Sequence, residues 1–199
     1  MAKITHDEII KACLNGIDIS FNEYLEWSGD EWLWNAPEYL LTINIAKELA
    51  KINKGKFITL EDNIKKTLQT ANANIKGKIT NKARPNGRSD IILWWANGYP
   101  RGIIEVKNAI FQFKNIKEDI DRIIEILKKD SSIEFGVTTF YIDRHYEVKN
   151  PETEIKNKIK KIAEEIEEYI KPNSLYYDYN LISKNENNAA FSVAMMIKR

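Results

Sequence analysis

Apolar residues recur along this chain at two spacings, and the changes between them divide it into elements. Helical spacing carries Leu41, Ile45, Leu49 and Ile52 along one face from Pro37 to about Lys51, with Pro37 suited to a first turn. It also places Ile116, Ile120, Ile123, Ile124 and Leu127 on a helix from Ile116 to about Lys129. Ile155, Ile159, Ile162, Ile166 and Ile170 mark another from Glu152 to Lys171, whose lysines and glutamates read as a solvated outer face. Thr5-His6-Asp7-Glu8 reads as a capping box opening a short helix to about Leu14, with Gly16 as its stop, and a second helix covers Phe21 to Trp27. Thr59-Leu60-Glu61-Asp62 reads as the start of a further helix, with Leu60, Ile64 and Leu68 inward.

Denser apolar runs, rich in β-branched and aromatic residues, read as strands at 91–95, 103–106 and 133–142. Leu175 to Ile182 and Ala189 to Ile197 form a closing hairpin, and a short edge strand is expected near Lys78 to Ala83. A strand at 103–106, a helix and a strand at 133–142 make a crossover, so those two strands lie parallel while the hairpins are antiparallel. The pattern predicts an α/β fold: a mixed central β-sheet flanked by helices, with an N-terminal helical segment and a C-terminal β-hairpin.

Charge in the middle strands needs a reason. Asp90 opens the first apolar run, and Glu105 and Lys107 close the second. With Asn97-Gly98 as a two-residue loop, the numbers of paired residues sum to 195, which sets Asp90 opposite Glu105 and puts Lys107 on the same face one pleat on. A longer loop through Tyr99-Pro100 would shift this register by one residue. Cross-strand Cβ atoms lie about 5 Å apart, near enough for two carboxylates to share a divalent cation. Glu38, one turn before Leu41, points inward too; read instead with Asn35-Ala36-Pro37, it caps its own helix.

Composition narrows the chemistry. With 199 residues, 43% hydrophobic and 30% charged, the chain suits one globular domain. No apolar run approaches a membrane span and no signal-peptide core opens the chain, so a cytoplasmic location without a membrane partner is expected. One cysteine, Cys13, and two histidines exclude a disulfide and argue against structural zinc, leaving oxygen to hold any metal. Net charge is only +1, but Lys76, Lys78, Lys82, Arg84 and Arg88 fall in a stretch from Ala71 to Ser89 that has no acid. That stretch is either a nucleic-acid-binding patch or a solvated basic loop. Trp27, Trp32 and Trp34 form an aromatic cluster that fills a core or interface, or stacks on a ligand. His6 and His145 lack a nearby nucleophile pattern, Ser89 is no nucleophile elbow, and no glycine-rich phosphate loop appears.

Glu-x-Lys alone is a weak pattern. Glu147-Val148-Lys149 and Glu154-Ile155-Lys156 repeat it, the first in a polar strand exit and the second on a helix; only Glu105 and Lys107 sit in a buried-looking strand paired with one carrying an acid. At these residues the chain resembles the PD-(D/E)xK nuclease superfamily, the restriction-endonuclease-like fold. Asp90 matches its first acid, Glu105 and Lys107 its triplet and Glu38 its helical glutamate; Ser89 stands where the nominal motif has proline, and the glutamine motif of some exonuclease branches is absent. The resemblance covers about half the chain and implies a single nuclease-like domain over 1–199, with a helical extension at 1–35, a catalytic core at 36–143 and a helix and hairpin at 144–199. It further implies Mg²⁺, with Mn²⁺ as substitute, held by Asp90, Glu105, the Val106 carbonyl and Glu38. Lys107 would orient or deprotonate water or offset charge, and the substrate would be DNA in preference to RNA. Whether two copies pair as a homodimer to cut both strands is left open. The alternative from another class is a catalytically idle nucleic-acid-binding or protein-interaction module that retains the fold.

Overall fold

Local signals open the chain as expected and then carry further than expected. In the computed structural model, which describes residues 3–73, 81–144, 150–184 and 187–199, Thr5 and Glu8 form the capping box of helix α1, His6–Ser28. The helix runs through Gly16 and ends at Gly29, whose φ of 70° supplies the left-handed cap. Gly16 is therefore a crossing point rather than a stop. A Cβ there would lie 2.5 Å from the Ile45 backbone, so its missing side chain lets α1 meet helix α2, Glu38–Lys51, at close range.

After α2 the chain forms strand β1, Lys56–Asn63, where a helix start was expected; the helix α3 begins only at Ile64 and ends at Thr70, with the Asn63 side chain accepting from Lys66 N. Thr59 to Asp62 lies within a strand because β1 pairs antiparallel with strand β2, Arg88–Trp95. β2 turns into strand β3, Pro100–Lys107, and helix α4, Lys117–Leu127, crosses over to strand β4, Phe135–Arg144, parallel to β3. Helix α5, Pro151–Tyr169, leads into the closing hairpin of β5, Ser174–Lys184, and β6, Ala189–Lys198. The six-stranded mixed sheet has the order β1-β2-β3-β4-β6-β5. The expected edge strand near Lys78 falls partly outside the described residues, and Asn81–Ala83 is a 3₁₀ turn. Among the described residues no helix is long and apolar enough to cross a membrane.

Alternation along the strands divides the core. Ile91, Leu93, Ile104 and Val106 join the cluster beneath α1 and α2, whereas Ile92 and Ile103 join the one beneath α3, α4 and α5. Trp32 packs edge-on against Phe21, but Trp27 and Trp34 are 65% and 50% exposed, so the tryptophan cluster does not fill the core.

The turn between β2 and β3 is not a two-residue loop. Gly98 N donates to Trp95 O and Trp95 N to Tyr99 O, closing a three-residue connection with Gly98 at φ 87°. A register shift between Leu93 and Trp94 cancels the offset, and beyond it Leu93 pairs with Gly102, Ile92 with Ile103 and Ile91 with Ile104. The pairs sum to 195 as expected, through a different turn and a compensating bulge.

Because α2 presents Glu38, the α1–α2 crossing positions the carboxylate that pairs with Lys107. Gly16→Ala should force the helices apart and destabilise the protein by about 2 kcal/mol in urea unfolding. An unchanged midpoint would show that the crossing tolerates a methyl group.

Candidate active site

The ladder between β2 and β3 ends at Ile91 and Ile104, although β2 continues to Arg88 and β3 to Lys107. At this opening the Asp90 carboxylate takes the Val106 N–H at 2.7 Å, the donor that the next ladder bond would have used. Strand geometry turns the Val106 carbonyl to the same side. Asp90, Glu105 and Lys107 share the face toward α4, by the same alternation that puts Ile92 and Ile103 there.

Glu105 is 1% exposed and has both oxygens engaged: Ser89 Oγ donates to one at 2.9 Å and Arg122 Nη1 to the other at 2.7 Å. Arg122, on α4, also lies 3.5 Å from Asp119 and donates to the Arg88 carbonyl at 3.3 Å. Lys107 Nζ donates to Glu38 Oε1 at 3.0 Å and sits 3.9 Å from Asp119. Glu38 does not cap its helix; its other oxygen accepts from Asn108 N at 3.2 Å, while the Asn108 amide donates to the Leu33 and Ala36 carbonyls. The end of β3 is thus tied to the start of α2.

Asp90, Glu105, Lys107, Asp119 and Arg122 border a polar cleft of about 420 Å³. Burial pushes the Glu105 carboxyl up to about 8, against the pull of Arg122, with Asp90 and Asp119 adding to the rise. Burial also raises Asp90 and Asp119, more than their hydrogen bonds and cations lower them. Burial would lower Lys107, but Asp119 and Glu38 outweigh it and raise it instead. Four carboxylates, Glu38, Asp90, Glu105 and Asp119, face two cations, Lys107 and Arg122.

Of the residues singled out in the sequence, Glu38, Asp90, Glu105, Val106 and Lys107 come together. Arg84 and Arg88 line the cleft, Arg84 paired with Glu118. Lys82 faces away from this cleft and approaches Asp121 at 3.5 Å, and Lys76 and Lys78 lie outside the described residues. Glu154 sits on α5 beside Arg144, and Glu147 and Lys149 lie outside the described residues. Asp119 and Arg122 escaped the sequence reading. Their signal was a charged i,i+3 pair within the inward arc of Ile116, Ile120 and Ile123. Glu61 escaped as well: it holds a left-handed φ of 55° where the β1–β2 pairing skips from Leu60–Ile91 to Asp62–Ser89, and its charge raises Asp90. A non-glycine residue in that region costs of order 1 kcal/mol.

No family model, curated protein or solved structure matches this chain. Among the described residues no three His, Cys, Asp or Glu side chains form a group able to hold a metal ion. The hard-oxygen donors at the opening are instead two carboxylates, Asp90 and Glu105, and the Val106 carbonyl. Such a set is too small to cage an ion and suits only one that keeps several waters.

Stripping Glu105 of its cation should leave a buried acid. Arg122→Met is expected to lower unfolding free energy by about 3 kcal/mol, and adding Glu105→Leu to recover most of it. Additive losses in a denaturant double-mutant cycle would show that the two side chains are not coupled.

Proposed function

We propose that this protein is a metal-dependent phosphodiesterase, and specifically a DNA endonuclease. The observation that carries this reading is the convergence of Asp90, Glu105, Lys107 and Glu38, from two strands and a helix, at the point where β2 and β3 part. Asp90, Glu105 and the Val106 carbonyl would hold Mg²⁺, or Mn²⁺ in its place. When bound, the ion supplies positive charge at the scissile phosphate and lowers the pKa of water beside it.

The protein's own groups do the rest. Flanked by Glu38 and Asp119, Lys107 keeps its proton, so it serves as a donor to the attacking water or the phosphate oxygens rather than as the base. Glu38 fixes the Lys107 ammonium and, through Asn108 N, the end of β3. Arg122 offsets the Glu105 charge where no ion is bound, and the exposed Arg88 at the rim offers a phosphate contact.

The Arg122–Glu105 contact favours a second reading. A buried pair that satisfies itself needs no metal, as in an idle nucleic-acid-binding or protein-interaction module.

Plasmid DNA incubated with the protein and Mg²⁺ or Mn²⁺ should be nicked or linearised, and chelation should abolish the reaction. Asp90→Ala and Lys107→Ala, if folded, should lose at least about 100-fold in rate. Equal cleavage by the variants would refute the assignment, and a folded wild-type protein that leaves DNA intact would support the idle module.

A further inference from the structure

A second cleft, of about 690 Å³, lies between the segment before α4 and the exposed side of α5, and Lys114 borders both it and the Asp90 cleft. Its lining includes the half-buried rings of Phe111 and Phe113 with Lys158 and Lys161. The α5 lysines were expected to form a solvated face balanced by glutamates, and away from this cleft they are balanced. Lys156 meets Glu152 at 2.6 Å and Lys160 approaches Glu164 at 3.7 Å. Among the described residues Lys114, Lys158 and Lys161 form no ion pair with a carboxylate, whereas Lys117, also in the lining, meets Asp121 at 3.5 Å, and Glu165 is the one acid in the lining. Lys158 Nζ lies 5.7 Å from the Phe111 ring centroid, and Phe113 rests edge-on against Tyr169 with centroids 5.3 Å apart. Burial lowers Lys158, and nearby Arg144 lowers it further against the pull of Glu154.

Unneutralised lysines interleaved with supported aromatic rings suit a polyanion that also carries flat apolar faces. Duplex DNA offers the charge but keeps its bases stacked inside, away from rings set in a groove. We propose that this groove binds a single strand of DNA and leads it past Lys114 into the Asp90 cleft. The choice of DNA rests on the endonuclease reading above. Phosphates run along Lys114, Lys158 and Lys161 while unpaired bases stack on Phe111 and Phe113.

Fluorescence anisotropy with a labelled oligonucleotide in a chelator, where no cleavage occurs, tests this apart from catalysis. The single strand should bind about tenfold more tightly than a duplex of the same sequence. Lys114→Gln with Lys161→Gln should reduce the slope of log affinity against log salt by about 1.4, roughly 0.7 for each lost phosphate contact. Phe113→Leu, with an unchanged melting temperature, should weaken the single strand about tenfold. Equal or tighter binding of the duplex or of an RNA strand, or an unchanged salt slope in the double variant, would overturn the proposal. Strand binding by a wild-type protein that cuts no DNA would retain the groove and remove the nuclease reading. Cleavage without a single-strand preference would do the reverse.

Discussion

A carboxylate 1% exposed in the middle of a sheet is costly unless every oxygen is answered, and Glu105 is answered from two directions. Ser89 reaches it across the hairpin and Arg122 reaches it from α4. Arg122 in turn needs Asp119, and Asp119 shares Lys107 with Glu38. One buried charge thus links the hairpin, α4 and α2 into a single network. Burial raises the carboxyls of Glu105 and Asp119 in this network and of Asp90 beside it.

The backbone sets where this network can exist. β3 is shared by an antiparallel partner and a parallel one, and the antiparallel ladder stops three residues short of β2's start at Arg88, with Asp90 bridging instead to Val106. That interruption turns a sheet interior into a cleft. Packing holds it open from both faces: α2 is seated on α1 through Gly16, and α4 is seated over β4, with Ile123 in Gly136's missing side-chain space. The acids lie at the carboxyl end of β3, where α/β sheets offer ligands their loops and helix starts.

Much of this was legible in the sequence because local chemistry and tertiary need agree there. The apolar runs at 91–95 and 103–106 marked the hairpin, and the register expected from Asn97-Gly98, pairs summing to 195, is the one the ladder keeps. The turn itself was misread: Asn97-Gly98 favours a two-residue loop, but Pro100 begins the strand and a bulge at Trp94 absorbs the difference. Gly16 and Thr59 to Asp62 were misread for a shared reason. A glycine that stops a helix and one that admits a neighbouring helix look alike locally, and Leu60, Ile64 and Leu68 keep helical spacing across a strand-to-helix boundary. What decides each is a partner distant in sequence, Ile45 in one case and β2 in the other. Asp119 and Arg122 were hidden because helix charges are usually solvated, and only the fold shows that these two face inward. Trp27 and Trp34 show the opposite, large apolar residues left at the surface.

Whether the opening of β2 and β3 is a cation site is best decided by diffraction from crystals grown with Mn²⁺, recorded at an energy where manganese scatters anomalously. An anomalous peak between the Asp90 and Glu105 carboxylates, with Arg122 drawn away from Glu105, is the predicted result. An intact Arg122–Glu105 contact with no peak at the opening of β2 and β3 would contradict it.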